Sequence, residues 1–394
     1  MGDICNFMQV NAENTEKSYA YSNDFQISTQ MKSWMAINPS YGCPWDCVYC
    51  IQHKDKFFDM SQYRKVHKVK IEGELCTPED IVTEIMINPR ITSRTPIVLY
   101  NFTDPFLPQN TRDLENTLSL LDKRKFTNII GLITRTFADT DTLDVIADLK
   151  YLRPIVMVSY AGYDNVEIER GPLNKRIELV KELKDRKIKT LQYLRPIAKE
   201  WLEEDQFKKA RDAIGHLVDG VVMSGIRLTP EIIAKINARR LPVPEVTNFT
   251  NKFFPKDLQE KIMEIYQGFA PVYRYTSCAV SSTFGVPDYN AHLGFFKETQ
   301  NKEFVVCPLP CNGDQTKICN NISFDESRFK SLLKRIGHPD LKFARTTSGA
   351  IMLDKELSKY DLSFLRHNTS CHIDYIGNKH HIDQVINMEV QSQK

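Results

Sequence analysis

The sequence predicts an α/β fold: a partial (βα)6 TIM-like barrel carrying a smaller cysteine-containing C-terminal domain. Three observations lead there. Apolar runs of strand length alternate with amphipathic helical segments from about residue 33 to about 225, the alternation stops beside a proline pair near 240, and cysteines cluster at two places in the 394-residue chain. A series of strands each followed by a helix must be parallel, because tight hairpins cannot join consecutive parallel strands.

The candidate strands are SWMAIN (33–38), PIVLYNF (96–102), NIIGLIT (128–134), PIVMVSY (154–160), IKTLQYL (188–194) and GVVMSG (220–225). Between them, Leu114, Leu118 and Leu121 recur at i, i+4, i+7, and Ile177, Val180 and Leu183 form a second such stripe behind Pro172. Phe207, Ala210, Ile214 and Leu217 form a third stripe. Pro242 and Pro244 beside Arg239 and Arg240 read as a linker. The expected organisation is an N-terminal extension (1–30), the barrel (31–240) and a C-terminal domain (241–394) that holds a helix around 255–267.

Composition excludes several classes. Lys plus Arg at 52 against Asp plus Glu at 50 gives a net charge of +2, so no global charge argument for a nucleic-acid or membrane partner exists. The first 20 residues contain no basic n-region or apolar h-region, and no run of 18 apolar residues occurs, so a cytoplasmic location without membrane attachment is expected. Ten cysteines are too few for a disulfide scaffold, and clustered thiols in such a chain point to metal or redox chemistry.

CPWDCVYC sets Cys43, Cys47 and Cys50 at x3 and x2 spacing on the loop after the first strand. In a barrel of this type that loop lies at the mouth, where the sites of such folds are built. Zinc knuckles and bacterial ferredoxin runs each close with a fourth ligand, and the next cysteine here is Cys76. Three thiolates holding a [4Fe-4S] cube leave one iron open to an exogenous chelator; buried free thiols or half a zinc knuckle are the plainer alternatives.

These residues carry a resemblance. C-x3-C-x2-C after a first barrel strand, with Tyr49 before the last cysteine, resembles the radical S-adenosylmethionine superfamily. The resemblance implies that S-adenosylmethionine chelates the open iron, and that one electron cleaves it to methionine and a 5′-deoxyadenosyl radical that takes hydrogen from substrate. It implies a flavodoxin or ferredoxin as electron donor. YNFTDPFLP, VSYAGYDNVEIERGPLNKR and LQYLRPI are similar to the spore photoproduct lyase subgroup.

By that similarity Tyr49 packs near adenine, Thr103 and Asp104 hold the methionine amino group, Ser159 meets the ribose or amino-acid end, Arg170 pairs with the carboxylate and Arg195 lies close by. An arginine fork suits a carboxylate in a dry pocket, whereas a solvated rim arginine contributes little. One departure is that Asn101 and Phe102 stand where the subgroup has a hydrogen-donating cysteine.

Further on, Cys278, Cys307, Cys311 and Cys319 offer an auxiliary ligand set for a second iron–sulfur cluster or zinc; packing thiols, or a hydrogen-donor role for Cys278, are the alternatives. Cys5, Cys76 and Cys371 read as isolated core or surface thiols. Lys54, Lys56, Arg64, Lys65, Lys68 and Lys70 interleave with Phe57, Phe58 and Tyr63, a pattern that can grip phosphates and stack bases, or simply form a solvated amphipathic segment. His292, His380 and His381 lack ligand partners at helical spacing. The expected substrate is therefore a nucleotide or nucleic acid. A peptide-modifying radical enzyme and a non-catalytic, metal-stabilised nucleic-acid binder are the competing readings.

Overall fold

The computed structural model of the protein describes residues 27–50, 65–244, 255–294 and 313–377. The chain divides into two compact units. One contains Ala36–Asn88 and Ile97–Tyr275 with the residues before 30; the other contains Gln30–Met35, Pro89–Pro96 and the chain from Thr276 onward.

An open eight-stranded sheet organises the first unit. Its strands are β1 (Ser28–Gln30), β2 (Met35–Ile37), β3 (Ile97–Leu99), β4 (Ile129–Thr134), β5 (Arg153–Ser159), β6 (Lys189–Ile197), β7 (Gly220–Gly225) and β8 (Val272–Tyr273), and they lie side by side in chain order. From β3 to β8 every neighbouring pair is parallel. All six expected strands are present. The two edge strands β1 and β8 were not expected, and they leave the sheet unclosed among the described residues.

The central strands are buried on both faces, as helix-covered parallel strands must be. Close packing there leaves no room at Gly131 in β4, where a Cβ would stand 2.6 Å from the Met157 side chain.

The helices α1 (Pro78–Ile87), α2 (Thr111–Lys123), α3 (Thr140–Ala147), α4 (Leu173–Asp185), α5 (Glu204–Ile214), α6 (Pro230–Ala238) and α7 (Lys256–Ile265) fall between these strands. Caps set several starts. Thr77 forms a capping box with Asp80, Asp139 accepts from Thr142 N–H, and Thr229 accepts from Ile232 N–H ahead of Pro230. In α2 the buried face is the expected Leu114, Leu118 and Leu121 with Thr117. In α4 it is Arg176, Leu179, Val180 and Leu183, so the stripe is turned away from the expected Ile177, which is only half-buried. The α5 face keeps Phe207, Ala210 and Ile214, and the helix ends before Leu217.

In the second unit, β9 (Phe343–Arg345) pairs antiparallel with β10 (Ile351–Leu353), and β10 pairs parallel with β11 (Ile373–Tyr375). The unit also contains α8 (Thr276–Thr283), α9 (Gly313–Asn320), α10 (Glu326–Arg335) and α11 (Lys359–Thr369). Phe329, Leu333, Ile351, Leu353, Phe364 and Ile373 form its core with the buried Cys371. Residues 30–35 and 89–96 belong to it through side chains of α10 and α11. Arg335 donates to the Ile91 carbonyl at 3.0 Å, Arg90 pairs with Asp361 at 2.7 Å, and His367 Nε2 bonds the Lys32 carbonyl at 3.1 Å.

Burial pushes the His367 pKa down to about 4, with Arg366 opposing its charge and Asp288 and the Lys32 carbonyl favouring it. The folded state therefore binds fewer protons than the unfolded one between about 4 and 6.5. Stability contributed by the neutral ring is full above that window and lost as pH falls through it, by roughly 3 kcal/mol. Urea midpoints measured across that window are expected to drop on acidification, and His367→Gln is expected to flatten the drop.

Candidate active site

The cysteine loop follows β2 and is fastened from three sides. Thr103 Oγ1 donates to the Gly42 carbonyl at 2.5 Å, Val48 N–H donates to the Ile168 carbonyl at 3.0 Å, and Asp46 forms ion pairs with Lys235 of α6 at 2.6 Å and with Arg239, the residue that caps its C-terminus, at 2.8 Å. Gly42 (φ 92°) and Asp46 (φ 46°) both occupy the left-handed region, which Gly and Asp adopt most cheaply. The turn between them brings three cysteines within eight residues onto one tight loop.

None of the three thiols is in a disulfide. Cys47 is buried, while Cys43 and Cys50 are half-buried. Burial raises the Cys47 thiol to about 11 and raises Cys43 further, each aided by its cysteine neighbours. Cys43 and Cys47 thus hold their protons in the metal-free loop, and ligation would have to displace them.

Behind the loop lies a buried charge cluster at the C-terminal ends of β4 and β5. Glu169, 4% exposed, accepts hydrogen bonds from the Tyr49 hydroxyl and from Arg176 Nη1. Arg176, fully buried, also donates to the Arg135 carbonyl and the Ser159 carbonyl, each at 3.0 Å. One guanidinium therefore stitches two strand ends to the Glu169 turn. Gly171 makes that turn at φ 133°, and a Cβ there would meet Arg176 Nη2 at 2.9 Å.

Arg135 lies over the Tyr49 ring at 5.3 Å and 3.9 Å from Glu169. Burial works against its charge, but Tyr49, Cys47, Glu169 and Cys50 raise its pKa overall. Arg195 sits over the Tyr193 ring at 3.9 Å, and burial lowers its pKa, with Arg135 adding repulsion.

The residues expected at the site are distributed as follows. Tyr49 is buried with its hydroxyl on Glu169. Thr103 holds the cysteine loop, and Asp104 is buried, accepting from Thr134 Oγ1 at 2.8 Å, Arg135 N–H at 2.6 Å and Phe106 N–H at 3.1 Å. Ser159 ends β5 with a buried hydroxyl that has no partner among the described residues. Arg170 is exposed, and its neighbour Glu169 is the residue that enters the site.

Sequence reading missed Asp46, Arg135, Glu169 and Arg176. The only sequence signal was position: Asp46 lies between cysteines and Arg135 directly follows a strand. In the other group, Cys278 is buried and Cys319 half-buried, while Cys307 and Cys311 lie outside the described residues. Lys54, Lys56, Phe57, Phe58, Tyr63 and Arg64 also lie outside them, as do Cys5, His380 and His381. Of the described basic residues, Lys68 pairs with Asp113, and Lys65 and Lys70 are exposed.

The fold and the loop together define an α/β protein that carries three thiols on the loop after β2, at the end of a largely parallel sheet. The three thiols share one short loop backed by arginines, a donor set whose chemistry suits a thiolate-bound iron–sulfur cluster. Solved structures that the chain resembles include a spore photoproduct lyase variant with bound AdoMet and dinucleoside spore photoproduct, at 13% identity over 67% of this chain and 84% of that one, TM-score 0.48. They also include Streptococcus suis SuiB bound to S-adenosylmethionine, at 17% identity over 63% of this chain and 51% of that one, TM-score 0.40. The chain spans about half the length of SuiB. The sequence matches no protein-family profile and no curated protein. With identities and scores this low, the functional reading rests on the site's own residues. No helix among the described residues is long and apolar enough to cross a membrane.

Removing the Glu169 carboxylate would strand the fully buried Arg176. Glu169→Ala is expected to cost about 3–5 kcal/mol in chemical denaturation, as loss of one partner from a buried ion pair does. A second expectation concerns the metal-free protein at high pH. Because Cys47 keeps its proton from 9.0 up to about 11, the folded state binds more protons than the unfolded one across that window, so stability should fall as pH rises through it. Denaturation midpoints of metal-free protein across the window check this, and bound metal should abolish the dependence.

Proposed function

We propose that the protein is a radical S-adenosylmethionine enzyme, with Cys43, Cys47 and Cys50 holding a [4Fe-4S] cluster and S-adenosylmethionine on the remaining iron. The observation that carries this reading is the three-thiol loop, fastened at the end of a largely parallel sheet with the buried Arg176 and the half-buried Arg135 behind it. When bound, the cluster supplies the electron that cleaves the sulfonium to methionine and a 5′-deoxyadenosyl radical.

The chain's own residues prepare that site. Cys43 and Cys47 release their protons on ligation, and the Arg135 charge beside Cys47 offsets the thiolates that result. Arg195 and Arg135 are assigned to the methionine carboxylate in preference to Arg170, because an exposed arginine contributes little. Ser159 brings an uncommitted buried hydroxyl to the ribose or amino-acid end. Thr103 and Asp104 form the turn assigned to the methionine amino group, and Tyr49 is assigned to the adenine end.

A nucleotide or nucleic acid is the proposed substrate, supported by the motif resemblance to the spore photoproduct lyase subgroup and by the exposed Lys65 and Lys70 beyond the loop. A flavodoxin or ferredoxin is the proposed electron donor, and the cytoplasm the proposed compartment.

Anaerobic reconstitution with iron and sulfide is expected to place about four irons per chain in this site. Incubation with dithionite and S-adenosylmethionine should then release 5′-deoxyadenosine. Cys47→Ala is expected to abolish that product, and its persistence in the variant would refute the ligand assignment.

A further inference from the structure

In the second unit, three side chains of different chemistry meet at one point. Cys278, in α8, is 5% exposed and its Sγ lies 3.7 Å from His292 Nδ1. Asp288, 3% exposed, brings Oδ2 to 2.9 Å from the same nitrogen. The three ligand atoms all lie within 4.8 Å of one another.

Which nitrogen they face decides between two chemistries. A thiol–imidazole–carboxylate relay needs the thiol on one ring nitrogen and the carboxylate on the other, so that the ring can carry a proton between them. Here sulfur and carboxylate face the same Nδ1, so the ring cannot relay. A sulfur, a nitrogen and an oxygen converging on one spot is instead the arrangement of a metal site. Tetrahedral zinc, with bonds of about 2.0–2.3 Å, spaces its ligand atoms by roughly 3.3–3.8 Å; the sulfur–nitrogen separation of 3.7 Å already falls in that range, and the nitrogen–oxygen separation of 2.9 Å has to open by a few tenths of an ångström.

We propose that Cys278, Asp288 and His292 form a mononuclear zinc-type site, independent of the cysteine loop of the first unit and of the reaction assigned there. Asp288 is held in place for it. Its Oδ1 accepts from Asn290 N–H at 3.2 Å, its Oδ2 accepts from His292 N–H at 2.8 Å, and its own N–H donates to Cys319 Sγ at 3.5 Å. Gln315 Nε2 reaches the same sulfur at 3.4 Å.

Cys319 thereby braces the aspartate peptide. On binding, the Cys278 thiol gives its proton to solvent and the imidazole proton resides on Nε2, leaving the Nδ1 lone pair, the thiolate and the carboxylate for the ion. Among the described residues these are the three ligands that meet, and tetrahedral zinc takes a fourth. In this arrangement the site ties α8 to the loop at 288–292.

The test uses the full chain carrying Cys43→Ala, Cys47→Ala and Cys50→Ala, so that the first site cannot contribute metal. After exposure to zinc and desalting, elemental analysis is expected to find about one zinc per chain and no sulfide. Cobalt(II) in its place should give a thiolate-to-cobalt charge-transfer band. Cys278→Ser should remove that band, and Asp288→Asn, which preserves size and the loop's acceptor oxygen, should weaken zinc binding about tenfold or more. No retained zinc, cobalt bound without the band, a band indifferent to Cys278→Ser, or iron with sulfide in place of zinc would each overturn the proposal. None of these outcomes bears on the cysteine loop.

Discussion

A single buried carboxylate fixes the geometry of the mouth. Glu169 has given up nearly all its water, a loss that costs several kcal/mol unless charge and hydrogen bonds replace it. The replacements come from three segments far apart in sequence: Tyr49 from the cysteine loop, Arg176 from α4, and Arg135 from the end of β4. Arg176 in turn satisfies the carbonyls of Arg135 and Ser159. The loop, two strand ends and a helix are therefore held in register by groups that cannot be separated without exposing an uncompensated charge.

Asp104 does comparable work one strand over. Its oxygens accept from the end of β4 and from its own turn, so the turn carrying Thr103 is locked to the strand, and Thr103 in turn holds Gly42. Asp46 completes the fastening from the loop's other flank by engaging Lys235 and Arg239. The turns at Gly42 and Asp46 both use positive φ, which costs glycine nothing and aspartate little. Each adjoins a hydrogen bond or ion pair to a neighbouring segment.

The six central strands were legible because buried parallel strands are continuous apolar runs bounded by turns, and the α2 and α5 faces because leucine, phenylalanine and isoleucine repeat at helical spacing. The edge strands Ser28–Gln30 and Val272–Tyr273 were not, being three and two residues long with no period to detect. The α4 face was misjudged for a physical reason. Counting apolar residues cannot register a buried Arg176, whose burial depends on Glu169 and on carbonyls contributed by other strands. The cysteine loop was legible from spacing alone. Its supports were not, because an isolated charged residue in sequence looks the same whether it ends in solvent or in a core.

The charge balance of this pocket favours an anionic guest. Arg135, Arg176 and Arg195 gather close to the loop, and among the described side chains Glu169 is the carboxylate that pairs with two of them, while burial keeps the Cys43 and Cys47 thiols protonated. Burial already lowers the Arg195 pKa, and the proximity of Arg135 lowers it further. Such an arrangement would become favourable with the arrival of negative charge, such as the proposed cluster's thiolates and a ligand carboxylate facing the two arginines would bring. The same desolvation that makes the metal-free site costly would strengthen each of those interactions once they form, since a low-dielectric pocket amplifies attraction as well as repulsion.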